Sequence, residues 1–455
     1  MGCFMTHKPY PRYKETGVKW IGKVPEHWEV KRLKHIADVR LSNVDKHTVE
    51  GQKIVRLCNY LDVYNNTHIT SKIEFMSATA SDSQIKRLSL QKNDVVITKD
   101  SEDPSDIGIP ALVEEDIFGL VCGYHLAILR PIVAEGEFLH YLLQSIFVRS
   151  AFEVEATGMT RYALGKYSIE NLIFALPHQS EQKSIVSFLD QETSRIDNLI
   201  SEKERLISLL QEYRQALISH AVTKGLDPTV KMKDSGVEWL GEVPEHWEVM
   251  KLQRCVSISE GQVNPEEGQY SSMILIAPNH IESGSGRLLD LETASEQSAE
   301  SGKYFCKSGD IIYSKIRPAL RKVCIAPQDC LCSADMYPLH SQNGLKNNFL
   351  YWFILSEPFS ALAVLESERV AMPKINRESL KEVMIALPPE KEQNLIISFL
   401  DHQTSRINTL LSEARKFIEL LKGYRSSLIT AAVTGKIDVR EVVPSGFKKR
   451  EIAHG

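Results

Sequence analysis

Residues Thr16–Val30 read TGVKWIGKVPEHWEV and residues Ser235–Val249 read SGVEWLGEVPEHWEV, identical at 11 of 15 positions. A second pair follows at a similar offset, ALPHQSEQKSIVSFLDQETSRID from Ala175 and ALPPEKEQNLIISFLDHQTSRIN from Ala386. A long-period repeat constrains architecture ahead of any local reading, because each copy must build the same supersecondary unit. The offset is 219 residues for the first pair and 211 for the second, so the block between box and helix differs by eight residues. That block also differs in sequence, apart from echoes such as NDVVITK (Asn93–Lys99) beside GDIIYSK (Gly309–Lys315). Constant blocks therefore alternate with variable ones.

The second constant block carries a helical period. Ile185, Leu189, Ile196, Leu199, Leu206, Leu210, Tyr213 and Leu217 recur at spacings of three, four or seven, which places them on one helix stripe. Ile396, Leu400, Ile407, Leu410, Phe417, Leu421, Tyr424 and Leu428 repeat it. Ser180 with Glu181 fits a helix start, and Gly225 and Gly435 fit the ends. Each helix then spans about 64 Å at 1.5 Å per residue. One apolar stripe on each of two such helices predicts mutual burial as a paired coiled coil.

The variable blocks read as mixed structure. Asp94–Thr98, Leu120–Leu129, Met273–Ala277 and Asp310–Ser314 are short, β-branched and bounded by turn residues, and are predicted strands. Phe138–Glu155 and Asn348–Glu366 carry apolar residues at helical spacing. Each block is an α+β domain.

The 455 residues allow two to four domains. With 43 % hydrophobic and 25 % charged residues, a disordered or fibrous chain is excluded. The net charge of −5 requires any DNA-binding face to be local. Eight scattered cysteines without a CxxC pair read as reduced cytosolic thiols, and the expected location is cytoplasmic. Cys324, Cys330, Cys332 and His340 lack zinc-knuckle spacing, so no metal is expected. No run of 18 apolar residues suggests a membrane span, and the myristoylation-like start Met1-Gly2-Cys3 has no second anchor nearby.

Catalytic motifs fail on inspection. Gly17–Val24 approaches a phosphate loop, but Val24 replaces the magnesium-ligating hydroxyl and Glu242 stands at the lysine position of the second copy. Pro25-Glu26-His27-Trp28-Glu29-Val30-Lys31 invites a nuclease reading, yet the second copy ends in Met250. Trp28 and Trp247 are better read as core anchors after a proline turn. Asn264-Pro265-Glu266-Glu267 departs from the Asn-Pro-Pro-aromatic tetrapeptide of an adenine methyltransferase, and neither Gly-x-Ser-x-Gly nor HExxH occurs. No catalytic residue is expected.

Taken together, the twin Gly-Val-x-Trp-x-Gly-x-Val-Pro-Glu-His-Trp-Glu-Val boxes, the Ala-Leu-Pro leads into Glu-Gln helices, and the Ala-Val-Thr helix ends at Ala221–Thr223 and Ala432–Thr434 resemble the specificity subunit of type I restriction-modification systems. The resemblance covers residues 10–440 and implies two target-recognition domains. They would be separated by two long conserved helices forming an antiparallel coiled coil, as a pseudo-twofold repeat. The expected bounds are a box at 1–30, recognition domains at 31–177 and 250–388, spacer helices at 178–225 and 389–435, a second box at 226–249 and a tail at 436–455. In that family each variable domain reads one half of a split site in double-stranded DNA. Two methyltransferase subunits and motor-nuclease subunits supply the chemistry, so S-adenosylmethionine, ATP and magnesium are implied for partners only. Because the box precedes the first reader and the last helix ends near Asp438, the termini are expected to lie together and complete a ring.

Neither variable domain is basic. Residues 38–174 hold 13 Lys plus Arg against 19 Asp plus Glu, and residues 256–385 hold 12 against 16. Readout must use local clusters. The candidates are Lys86, Arg87, Lys99, Arg161, Tyr162 and Lys166 in the first domain. In the second they are Lys315, Arg317, Arg321 and Lys322, with Lys374, Asn376 and Arg377. Arg161–Lys166 and Met372–Arg377 are equivalent under the 211-residue offset. Arginine suits guanine and asparagine suits adenine. The competing readings are a coiled-coil scaffold whose variable domains bind protein, and a stand-alone nuclease or ATPase; the second-copy changes at the Lys23 and Lys31 positions argue against the latter.

Overall fold

The repeated box folds alike in both copies. Tyr13–Glu15 pairs antiparallel with Lys23–Pro25, and Met232–Asp234 pairs likewise with Glu242–Pro244. Proline has no N–H to extend a ladder, so each hairpin stops there and the chain turns. Trp28 and Trp247 follow and are fully buried, as core anchors should be. Glu29–Arg32 then pairs antiparallel with Ile173–Leu176, and Glu248–Lys251 with Met384–Leu387. Val30 lies opposite Ala175 and Val249 opposite Ala386. The Ala-Leu-Pro lead is thus a strand that closes each recognition domain onto its own box.

The computed structural model describes residues 8–18, 21–367 and 373–440. They divide into two units, one drawn from Met1–Glu202 and Lys416–Gly455, the other from Lys203–Arg415. In the first unit a five-stranded sheet runs in the order Ala37–Leu41, Leu126–Pro131, Val95–Thr98, Pro110–Val113, His68–Ile69. It is antiparallel except for its last pair. A three-stranded sheet of Leu120–Cys122, Lys53–Cys58 and Met76–Ala80 completes the domain. The second unit holds an antiparallel four-stranded sheet, Val256–Ile258, Met336–Ser341, Ile311–Ser314, Val323–Ile325, and a smaller sheet of Leu275–Ile276, Cys330–Cys332 and Tyr304–Cys306.

The sequence-derived elements are refined in detail. Leu120–Leu129 is two strands, broken at residues 123–125. Phe138–Glu155 is two helices, Gly136–Gln144 and Ile146–Glu155, and the second copy breaks equally into Asn347–Leu355 and Glu357–Ser367. The breaks fall at Ser145 and Ser356, 211 residues apart, both buried with extended backbone. Each hydroxyl donates to the carbonyl three residues back, Leu142 or Phe353. Serine thereby replaces the helical bond locally.

The long helices run Gln179–Lys224 and Glu390–Val433. Gly225 and Gly435 follow in the left-handed region at φ +76° and +68°, as helix-ending glycines do. A side chain at Gly435 would also meet the Pro25 ring at 2.4 Å. In the first unit Tyr13 Oη donates to Gly435 O at 3.0 Å and Asp438 N to Lys8 O at 2.8 Å, so the segments near the two ends do meet.

The buried stripe differs from the expected one. On the C-terminal helix, Leu400, Thr404, Ile407, Leu411, Ala414 and Ile418 are buried, and Leu421, Arg425, Leu428 and Ala432 continue the series. The spacing alternates four and three, a period of 3.5. Leu410 and Phe417 lie outside it and are exposed. Leu206 and Tyr213 are likewise exposed on the central helix, whose equivalent positions run from Leu189, Thr193 and Ile196 to Arg214 and Ala221. An apolar-only count skips Thr193, Arg214, Thr404 and Arg425, and shifts to the neighbouring leucines and aromatics. No single helix among the described residues is long and apolar enough to cross a membrane.

Candidate nucleic-acid interface

Each unit brings its reader loops to one strand end. In the first, strand Val95–Thr98 delivers Lys99, whose carbonyl accepts from Leu164 N at 2.8 Å. Tyr162–Ala163 pairs antiparallel with Asp100–Ser101. In the second, strand Ile311–Ser314 delivers Lys315, whose carbonyl accepts from Ile375 N at 2.9 Å, and Ile316 bridges Lys374. Two sequence features noticed separately, the echo ending in Lys99 and Lys315 and the loops 161–166 and 372–377, are thereby adjacent in both units. Met372 lies outside the described residues.

The first unit holds two groups of candidates. Lys86 and Arg87 are exposed in the last turn of helix Asp82–Leu88. With Lys166 and Arg40 they line a cavity of about 640 Å³. Arg40 donates to Asp38 at 2.7 Å, Lys166 pairs with Glu170 at 3.4 Å and Arg87 donates to Asn43 Oδ1 at 3.4 Å, while Lys86, Arg87 and Lys166 are all exposed. Arg161 is exposed in the loop before Tyr162. Lys99 is buried: its ammonium lies 2.5 Å from Asp100 and 4.7 Å from the centre of the Tyr124 ring. Asp100 also holds His125 at 3.1 Å. That lysine is therefore paired within its own unit. Arg40, Tyr124 and His125 were missed in the sequence, where a strand arginine and a turn Tyr-His carry no motif.

In the second unit Lys315, Lys374 and Arg377 gather. Lys315 donates to Ala334 O at 2.7 Å and lies over Tyr337. Arg377 stacks between Tyr304 and Tyr337, 5.5 and 4.9 Å from their centres, and donates to Ser259 O at 2.8 Å. Asn376 caps helix Arg377–Glu382 by accepting from Ser379 N at 2.7 Å, so its side-chain oxygen is engaged. Lys374 is exposed, as is Arg317, whose backbone N donates to Pro373 O. Arg321 and Lys322 point elsewhere. Arg321 binds Ser360 and Glu357, and Lys322 donates to Pro278 O at 2.6 Å. Cys324, Cys330 and Cys332 are buried in a hydrophobic core, and His340 faces Asp310 at 3.0 Å.

A second set of residues fastens the readers to the helices. Glu181 accepts from Tyr10 Oη (2.7 Å) and Trp28 Nε1 (3.1 Å) and holds His27 at 2.7 Å; Glu392 holds His246 at 2.8 Å. Gln182 and Gln393 each accept from a recognition-domain N–H, of Glu135 and Lys346. Tyr141 donates to Asp190 and Trp352 to Asp401, 211 residues apart. The nitrogen after each serine break is capped by the other helix, Ile146 N by Thr430 and Glu357 N by Ser219. The Pro-Glu-His-Trp box is thus a structural socket, and its histidine and Glu181 are anchors.

The family model for the type I restriction modification DNA specificity domain matches residues 25–208 and 244–420, one match per repeat. The chain belongs to the type I restriction-modification DNA specificity family. It is 28 % identical over 325 residues to the type I restriction enzyme EcoDI specificity subunit of Escherichia coli, covering 68 % of this chain and 72 % of that protein. Over 458 residues it is 25 % identical to the MjaVIII specificity subunit of Methanocaldococcus jannaschii, covering 94 % and 98 %. The fold matches a chain solved in a study of complex assembly and conformational transition of the type I R-M system, at TM-score 0.68, 17 % identity and 91 % and 99 % coverage. The HsdS subunit of Thermoanaerobacter tengcongensis matches at TM-score 0.51, 17 % identity and 91 % and 98 % coverage.

Proposed function

We propose that this chain is the non-catalytic DNA-reading subunit of a type I restriction-modification complex. Each variable domain reads one half of a bipartite site in double-stranded DNA. Two methyltransferase subunits then methylate adenine N6, and motor-nuclease subunits restrict unmethylated DNA. The observation that carries this reading is the duplication itself. Each half matches the family model and holds one reader, whose sheets and loops diverge while its socket and helix stay constant. The period of 3.5 along both helices supports an antiparallel coiled coil as the spacer. Arg161, Tyr162, Lys166, Lys86 and Arg87 would contact the first half-site, and Lys374, Arg377, Lys315 and Arg317 the second. Lys99 would support the first loop from below, and Asn376 would orient the second by its cap. Arg321 stands apart from these groups. Both readers carry net negative charge, so much of the phosphate neutralisation falls to the partners.

The test is methylated-adenine sequencing in cells carrying this gene with its methyltransferase. Wild type should give one split motif. Arg161→Ala with Lys166→Ala should relax or abolish one half only, and Lys374→Ala with Arg377→Ala the other. Equal loss at both halves from either pair would overturn the assignment.

A further inference from the structure

The two helices place an arginine at the same point of their buried stripes, Arg214 and Arg425, 211 residues apart. Their surroundings differ in charge. In the first unit Arg425 Nε lies 3.0 Å from the Asp197 carboxylate. In the second unit the position equivalent to Asp197 is Asn408. Arg214 is 6 % exposed, and two of its nitrogens donate to backbone carbonyls of Gly284 and Ser285, at 2.7 and 3.2 Å. Its Nε makes no hydrogen bond among the described residues; Arg425 Nε makes none either but has the Asp197 carboxylate beside it. A buried guanidinium without a counter-ion is costly, and neutral carbonyls solvate it without cancelling its charge.

Arg214 and Asn408 line one cavity of about 640 Å³ inside the second unit, together with Arg415, Arg287 and Arg321. Three carboxylates are present, and each has another partner. Glu282 accepts both Arg287 bonds at 3.1 Å and one from Ser285, Glu357 binds Arg321, and the exposed Glu212 accepts from Ser208. Arg415 reaches Glu282 only at 3.9 Å. The cavity lining therefore holds four arginines against three glutamates, an excess of one positive charge, and Arg214 is the arginine there without an ion pair among the described residues. Its hydroxyl and amide groups, from Ser283, Ser412 and Gln211, are donors that suit a tetrahedral oxyanion.

We propose that this cavity is an anion site that takes a phosphoryl group, held by Arg214 and Arg415 where Asp197 serves the other copy. The site goes beyond DNA readout and stands whether or not the assigned reader loops touch bases. A phosphoryl group offers one negative charge as a diester and up to two as a monoester, with several acceptor oxygens for the arginines of the lining.

The test uses the purified full-length chain, alone or with its methyltransferase partner, and inorganic phosphate as probe. Phosphate should raise the unfolding temperature saturably over chloride at equal ionic strength. Asn408→Asp, which restores the carboxylate present beside Arg425, should raise the basal unfolding temperature and remove the phosphate response. Arg415→Ala should shift the phosphate midpoint several-fold upward while the chain stays folded. Competition by a short random-sequence duplex would assign the phosphoryl group to a DNA backbone; its absence would assign it to a free phosphate or phosphate ester. Either supports the site. Equal behaviour in phosphate and chloride, or an unchanged phosphate response in Asn408→Asp, would overturn it.

Discussion

Glu181 was legible only as a helix-start residue, yet it is the hub of the first socket. Nothing in the spacing of one box reveals that a carboxylate some 150 residues downstream receives its histidine and tryptophan. The side chain is 6 % exposed and accepts two hydrogen bonds besides the His27 pair. Glu181→Ala would leave Tyr10 Oη and Trp28 Nε1 buried and unpaired, each costing about 1–3 kcal/mol. Among the described residues Glu392 holds His246 alone by comparison, and it is more open. Urea denaturation should therefore show a larger loss for Glu181→Ala than for Glu392→Ala. His140 makes a second residue-scale prediction. Burial, then the charges of His68 and Arg425, holds its pKa down to about 3. In the unfolded chain histidine titrates near about 6.5, so on acidification the unfolded state binds the proton first. The stability tied to neutral His140 is intact above that value and is lost as pH falls toward about 3. Between pH 6.5 and 5, above ordinary carboxylate titration, the unfolding midpoint should fall in wild type and stay flatter in His140→Phe.

At the scale of elements, the helices were visible in the sequence to within a few residues, but their buried face was not. Spacings of three, four and seven are satisfied by neighbouring series along one helix, and only packing selects between them. The selected series includes threonine and arginine, each with a specific partner. Thr404 donates to Leu400 O at 2.6 Å and Arg214 to two loop carbonyls. The same limit applied to the recognition domains, where continuous apolar runs hid the breaks at Ser145 and Ser356. Here the second copy held the signal, since serine stands at both positions under the 211-residue offset. Two apolar residues three positions apart on one helix separate the readings. Ile407 is 4 % exposed and Leu410 is 49 % exposed. Ile407→Ala should cost about 2–5 kcal/mol as a buried truncation, whereas Leu410→Ala should stay within about 0.5 kcal/mol. Comparable losses in a chemical denaturation series would place the stripe on the other series.

For the whole molecule, the alternation of box, reader and helix could be read from the repeat, because the residues that fasten socket to helix recur in both copies. The readers could not be read to the same depth, since a loop that recognises bases need satisfy no internal spacing rule. If the helices set the distance between half-sites, changing their length must change the DNA site. Seven residues are two turns at a period of 3.5, so a heptad inserted at equivalent points of both helices keeps the buried stripe in phase. Four residues would not. The heptad adds about 10 Å at 1.5 Å per residue, near three base pairs. Three base pairs also turn DNA by about 100°, given 10–10.5 base pairs per turn, while the heptad returns each reader to nearly the same face. The double insertion should therefore lengthen the unspecified spacer by about three base pairs, leave both half-sites unchanged, and lower the methylation rate because the DNA must untwist to present both halves. Methylated-adenine sequencing, with rates followed on a matched site, checks all three. An unchanged spacer in an assembled, active complex would show that something other than the helices holds the readers apart.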